Sequence, residues 1–461
     1  MKKFLKNVSW PLAYSFSPKI LQGLKFIVLI RLLGPFEFGI YAFALVWIAI
    51  AEGLSEFGVR QAIIQQKIDP VEQEGKALNT VLLFRGILIA LGLTLLAWVL
   101  RNWTAKIDPL SILAISFIPL FRGLYSVCLA NTLRNLNYKR MFFFETSWRS
   151  LDLILIIFAL YLVDNSSRAA IITTSISELS AVFFSFFILN NYIRFSADFL
   201  PIKPLIRYGR WIWGQSIMTV ILNQFDKVYV ITLFGSTAMG AYQGVNRLMQ
   251  MVIADPINML VGVWFPKLAI DIRKNETKAW VMFCEILKAY LIAMCICVVF
   301  TVAFRSEIIR FMFGTEWIEF SKFTPIFSMT MAIGGLITLL VAWFRCIGSP
   351  QWVTLSTFVQ FIVYITFIVF IGKLYGAFGV ALSVLSAGFS SLVVLIISLG
   401  RERSLKIILS KEIICCILGL FISIYSIHDC SNWVNFVVVY LLVLLSLLWV
   451  RAKQIFGMIN E

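Results

Sequence analysis

Ionisable side chains occur where a chain this apolar should have none. Lys19, Lys25 and Arg31 sit in the first long hydrophobic stretch and Glu52 in the second. Arg85, Arg122, Asp152 and Glu178 follow in the next four, then Asp226, Lys227, Arg247, Asp255 and Lys288. A charge at mid-bilayer costs at least about 2.5–3.5 kcal/mol, so such residues face a bundle interior or a water-filled cavity, or pair with one another. Basic residues outnumber acidic ones, a balance suited to holding an anion. The candidate anion-binding residues are Lys25, Arg85, Arg122, Lys227, Arg247 and Lys288. Glu178 and Asp226, with Asn223 and Gln22, are the candidate polar lining and the carboxylates for a coupling H+ or Na+. Lys19, Arg31 and Asp152 lie close to expected span ends and are expected to snorkel. Glu52 and Asp255 are expected to act as salt-bridge partners of basic neighbours.

Helical spacing groups some of these residues. Gln215, Thr219, Asn223 and Asp226 recur at intervals of four, four and three, which puts them on one helix face. Lys227 points roughly 100° away from its neighbour. Pro18, Gln22 and Lys25 form a second stripe, and Gln243, Arg247 and Gln250 a third. Three stripes on the first, seventh and eighth segments predict a shared polar cavity. Interhelical glue is the other use of such stripes.

Other chemistries find little support. The chain has eight cysteines and one histidine, His428. A zinc site needs about four grouped ligands, and Cys295, Cys297, Cys415 and Cys416 have no histidine near them. Most cysteines lie in apolar stretches, so a disulfide framework is not expected. Gly334-Gly335 and Gly376-x2-Gly379 lack the Lys-Ser/Thr of a phosphate loop and are expected to be close-packing points. No cofactor is expected.

The elements that must position these residues are membrane helices. Hydrophobic residues make up 60% of the chain, charged ones 14%, and the mean hydropathy is +0.89. A soluble domain would be about a quarter charged. With about 20 apolar residues per crossing, the sequence predicts about 14 spans. They cover roughly 11–33, 38–56, 78–100, 109–130, 147–163, 169–190, 210–234, 241–264, 280–304, 324–344, 353–372, 377–399, 411–428 and 433–450. With both termini cytoplasmic, most Lys and Arg fall in the inner loops. The net charge of +16 is therefore read as basic cytoplasmic loops, and nucleic acid is not an expected partner. The N-terminus lacks a signal-peptide core and cleavage site and reads as a retained cytoplasmic end. The loops are too short for a soluble catalytic domain, so an enzyme is not expected.

One stretch occurs twice. Leu32–Tyr41 and Leu233–Tyr242 both read Leu-x-Gly-x4-Gly-x-Tyr at an offset of 201 residues. The same offset aligns Lys25 with Asp226. A repeat of this period predicts two similar helical lobes, residues 1–200 and 201–400, followed by two further helices and a tail over 401–461. The two glycine turns are expected to be tight external connections.

RLLGPFEFGIYA (31–42), EGLSEFGVRQAIIQ (52–65), DKVYVITLFGSTAMGAYQGVNRL (226–248), FPKLA (265–269), FGTEW (313–317) and LYGAFGVALS (374–383) occur in that order. In sequence, spacing and setting they resemble the O-antigen (Wzx-type) flippases. These are polysaccharide transporters of the multidrug/oligosaccharidyl-lipid/polysaccharide exporter (MOP) superfamily. The resemblance covers nearly the whole chain. It implies an all-α polytopic membrane protein: two pseudo-symmetric six-helix lobes in a MATE-like, V-shaped alternating-access bundle, plus two C-terminal helices. It further implies flipping of undecaprenyl-pyrophosphate-linked oligosaccharide across the bacterial inner membrane, among membrane lipids and alongside other polysaccharide assembly proteins. A multidrug antiporter of the same fold would need an acid in helix 1, which here carries Lys19, Lys25 and Arg31 instead. A peptidoglycan-precursor flippase is a nearer alternative. A membrane polymerase or glycosyltransferase would need a large outer loop or acidic catalytic motifs.

Overall fold

The computed structural model describes residues 2–55, 72–99, 108–190, 193–196, 198 and 203–402. Among them there are helices and no strands. In lipid each backbone N–H and C=O must be satisfied within the protein, and a long apolar helix does that within its own segment. The helices in order are α1 (Lys2–Ser55), α2 (Glu72–Val99), α3 (Pro109–Ser116), α4 (Ile118–Arg134) and α5 (Tyr138–Phe158). After them come α6 (Ser167–Ile188), α7 (Lys203–Met249), α8 (Asp255–Lys274) and α9 (Glu276–Ala303). A short α10 (Arg305–Met312) and a 3₁₀ stretch (Thr315–Phe323) lead to α11 (Thr324–Cys346) and α12 (Pro350–Glu402).

Nine helical stretches among the described residues are long and apolar enough to cross a membrane. Three of them, in α1, α7 and α12, are broken by a glycine: Gly34 (φ 67°, ψ 175°), Gly235 (φ 83°, ψ −178°) and Gly376 (φ 63°, ψ −149°). That backbone region is essentially closed to side-chain-bearing residues. The break is a reversal. Phe26 and Phe38 have ring centroids 5.9 Å apart, whereas twelve residues of straight helix would separate them by about 18 Å. Pro35 follows the first glycine and starts the next helix with a preset φ. Gly376 is thus a third turn of the same kind, between the expected spans 353–372 and 377–399, although the glycine itself was expected to be a close-packing point. With each broken helix read as two, the first twelve expected spans all coincide with helices. The last two, 411–428 and 433–450, lie outside the described residues.

The chain divides into two compact units, Met1–Gly240 and Ala241–Glu461. In the first, a core of Tyr125, Leu129, Met141, Phe144, Trp148, Ala181 and Val182 joins α4, α5 and α6. In the second, Trp280, Phe283 and Trp343 stack with centroids 4.8–5.8 Å apart and join α9 to α11. Gly335 admits the Tyr290 ring edge, because an added Cβ would lie 2.0 Å from its hydroxyl. That hydroxyl donates to the Ala332 carbonyl at 2.7 Å. A π-helical turn, Gln250–Ala254, precedes α8. Pro256 has no N–H to continue an α-helical register there, and the Asp255 N–H reaches back to the Gln250 carbonyl.

Candidate functional site: paired charges inside the first unit

Helix α1 carries Lys25 into the interior, with α5 and α6 facing it. Its ammonium donates to both oxygens of Asp152, at 2.8 and 2.9 Å, and to Thr174 Oγ1 at 3.3 Å. Ser177 donates to the same carboxylate at 2.6 Å, and the Tyr41 hydroxyl lies 3.3 Å from Thr174 Oγ1. Asp152 is buried, at 6% exposure. It does not snorkel. Helix α5 begins at Tyr138, well before the expected start at 147, and this places Asp152 in mid-helix. In this structure the carboxylate that answers Lys25 is Asp152.

The second cluster centres on Arg122 of α4. Its Nε and Nη2 donate to Glu178 Oε1 at 2.9 and 2.5 Å, and its Nη1 donates to Glu52 Oε2 at 2.9 Å. Tyr125 donates its hydroxyl to the other Glu178 oxygen at 3.2 Å. Arg85 of α2 flanks the same place, with Nε on Ser55 Oγ at 3.0 Å and Nη2 on the Glu52 carbonyl at 3.2 Å. Glu52 thus fills the salt-bridge role expected of it.

A third cluster includes two residues that the span boundaries hid. Arg149 donates to Glu145 at 2.7 Å, and its guanidinium lies 4.4 Å from the Trp148 ring centroid. The Gln22 amide oxygen, turned toward it, accepts from Arg149 Nη2 at 3.3 Å. With span 5 placed at 147–163, Arg149 and Glu145 both fell with the loop before it. Their i,i+4 spacing was the available signal.

Helix α7 differs. The Lys227 ammonium donates to the Asn223 carbonyl and, at 3.2 Å, to Gln224 Oε1. Both acceptors are neutral and both belong to its own helix. Thr219 and Asn223 are exposed whereas Asp226 is buried at 5%, so the expected polar stripe of α7 divides between two environments. The side chain of Gln215 lies outside the described residues.

In the second unit, Arg247 Nη1 is 3.8 Å from Asp255 Oδ2 across the π-helical turn, again as expected of Asp255. Lys288 is buried at 8%, and Glu285 accepts its ammonium at 2.9 Å. Glu285 was missed, although its i,i+3 spacing to Lys288 announces the pair. Of the sequence-named residues, the structure brings Lys25, Gln22, Arg85, Arg122 and Glu178 into interior clusters of the first unit. Lys227, Asn223 and Asp226 sit on α7, and Arg247 and Lys288 in the second unit. Among the described residues no group of three His, Cys, Asp or Glu side chains could hold a metal ion.

What such paired charges can do is present strong, orientable donors to an anion inside a membrane helix bundle. Comparison with known proteins agrees with a membrane transport fold. The chain is similar to the lipopolysaccharide biosynthesis protein WzxC of Escherichia coli K12, with 22% identity over 70% of this chain and 63% of that protein. It spans rather less than two thirds of that relative's length. Its fold resembles that of the lipid II flippase MurJ (TM-score 0.68, 17% identity, 98% of this chain and 100% of that one). It also resembles an inward-facing multidrug resistance MATE family transporter of the MOP superfamily (TM-score 0.66, 15% identity, 88% of this chain and 99% of that one). Residues 28–322 match the family described as polysaccharide biosynthesis protein. This multi-span membrane protein, with the fold of MOP superfamily transporters, belongs to that polysaccharide biosynthesis family.

Proposed function

We propose that the protein is a flippase for a lipid-linked oligosaccharide. It carries undecaprenyl-pyrophosphate-linked repeat units from the cytoplasmic to the periplasmic leaflet of the bacterial inner membrane by alternating access, with both termini cytoplasmic. The observation that carries this reading is Lys227. A membrane helix presents an ammonium whose own acceptors are neutral oxygens, the Asn223 carbonyl and Gln224 Oε1. A cation held this way in a low-dielectric setting attracts an anionic head group strongly. Lys25, Arg85 and Arg122 of the same unit add to its cationic character, and Glu178 or Asp226 serves a coupling H+ or Na+. Family membership supports polysaccharide assembly as the setting.

The test is complementation of a strain deleted for the gene. The wild-type chain restores surface polysaccharide, with peptidoglycan synthesis and drug resistance unaffected. Lys227→Gln does not restore it, although it reaches the membrane in equal amount. Restoration of drug efflux without polysaccharide would overturn the reading in favour of a multidrug antiporter. Rescue of peptidoglycan-precursor export would assign the other lipid cargo.

A further inference from the structure

Two carboxylates share the Arg122 guanidinium, and they are not equivalent. Glu178 is built in. Its side chain is 4% exposed, it takes two of the N–H groups through one oxygen, and its second oxygen accepts from Tyr125. Glu52 takes a single hydrogen bond, at 2.9 Å, and its side chain is 22% exposed. The Arg122 side chain as a whole is 40% exposed, and the more exposed of its two carboxylate partners is Glu52. The guanidinium therefore has a fixed, buried edge and an accessible edge closed by one carboxylate arm.

Arg85 meets the same residue. Its Nη2 donates to the backbone carbonyl of Glu52 and its Nε to Ser55 Oγ, one turn further along α1. The Glu52 side chain can thus swing away from Arg122 while Arg85 still holds its backbone carbonyl. An anion arriving at the accessible edge would find the Arg122 Nη1 donor pre-aimed and Arg85 alongside. Phosphate oxygens match a guanidinium fork in the same way as a carboxylate does.

We propose that Glu52 is an exchangeable internal anion. It occupies Arg122 when the site is empty, and a phosphate-bearing head group displaces it on binding. This rests on the flippase reading and names the step that selects its cargo. A neutral or cationic molecule cannot replace the carboxylate, because it would leave Arg122 half-paired inside the membrane. A doubly charged phosphate group can. Glu52 thereby sets a threshold of negative charge that a ligand must exceed, and it lowers affinity in return for selectivity.

The experiment uses the full chain purified in detergent, with inorganic pyrophosphate as the probe and glucuronate as a carboxylate comparison, read by titration calorimetry. Glu52→Gln keeps the shape and removes the competing charge, so it binds pyrophosphate about tenfold more tightly than the wild type. Glu52→Asp stays near the wild type. Arg122→Gln, checked for folding by size-exclusion profile and melting midpoint, loses the gain when combined with Glu52→Gln. Unchanged or weaker pyrophosphate binding by Glu52→Gln overturns the inference, and so does a gain that survives loss of Arg122. A gain for glucuronate alone overturns the phosphate assignment. Wild-type and Lys227→Gln titrations in parallel read the flippase proposal by itself. Wild-type binding that depends on Lys227 but is indifferent to Glu52 would sink only this inference, and no binding by any variant would sink both.

Discussion

Gly39 and Gly240 stand 201 residues apart at matching places in the repeat, and each meets the turn of the other copy. A Cβ added to Gly39 would lie 1.9 Å from the carbonyl oxygen of Ser236, and one added to Gly240 would lie 1.9 Å from that of Pro35. Pro35 and Ser236 are themselves repeat-related. The contact is therefore reciprocal, like the self-complementary patch of a twofold dimer, but within one chain. Backbone meets backbone, so no flexible side chain can yield. Gly39→Ala or Gly240→Ala should each cost about 1–3 kcal/mol, the usual penalty of overpacking. Melting midpoints in detergent check this, and the double variant should cost less than the sum of the singles, because the first one already separates the turns.

The Lys25–Asp152 pair predicts a specific non-additivity. Its partners are 12% and 9% exposed at the side chain, and Ser177 and Thr174 complete the bonding. Lys25→Met strands a buried carboxylate and should destabilise by about 3–5 kcal/mol. Lys25→Met with Asp152→Leu removes both charges and should recover most of that loss. Thermal unfolding of the two singles and the double measures it; a double as unstable as the worse single would place the stabilisation elsewhere.

Much of this was legible in the residues. Continuous apolar runs mark membrane helices because a lipid-buried backbone has few other solutions. The repeated Leu-x-Gly-x4-Gly-x-Tyr marked two chain reversals because only glycine tolerates their geometry. The third reversal, at Gly376, was legible only as the gap between two expected spans and not as a copy of the repeat, because its second glycine comes three residues later, at Gly379, where the repeat has a gap of five. Some of the interior charges, Lys25, Arg122 and Glu178 among them, were readable from hydropathy; Asp152, expected to snorkel, was not. Their pairing was not: Lys25 lies 127 residues from Asp152, and Arg122 56 from Glu178. Only the packing of α1, α4, α5 and α6 decides those partners. Arg149 and Glu145 were lost for a simpler reason. Hydropathy weighs a charged residue near a span end as loop, although a neighbour one turn away neutralises it.

Arg149 should resist conservative replacement. One guanidinium bonds Glu145, meets the Gln22 oxygen and lies over Trp148 at 4.4 Å. A lysine keeps the charge and loses both the planar fork and the stacking. Arg149→Lys should cost about 1–2 kcal/mol, of which cation–π attraction accounts for about 0.5–1. Adding Trp148→Leu to each background tests the partition: the difference between Arg and Lys should shrink once the ring is gone.

Lys227 and Lys288 have similar chemistry and should fail in opposite ways. Lys288 is 8% exposed and bonded to Glu285, on the stretch of α9 that supplies Cys284 and Leu287 to the second unit's core. Lys288→Gln removes the ammonium that Glu285 accepts inside the core, so the melting midpoint should fall, by the equivalent of about 3–5 kcal/mol. Adding Glu285→Gln should restore both stability and transport, since the pair then acts only in packing. Lys227 gives up neutral acceptors alone, so Lys227→Gln should stay within about 0.5 kcal/mol of the wild type. Its loss should appear in flipping, read as failure to export lipid-linked oligosaccharide in reconstituted vesicles. A Lys227→Gln protein that transports normally would remove the main support for an anionic head group, whereas a Lys288→Gln/Glu285→Gln protein that folds but does not transport would move Lys288 from packing to substrate.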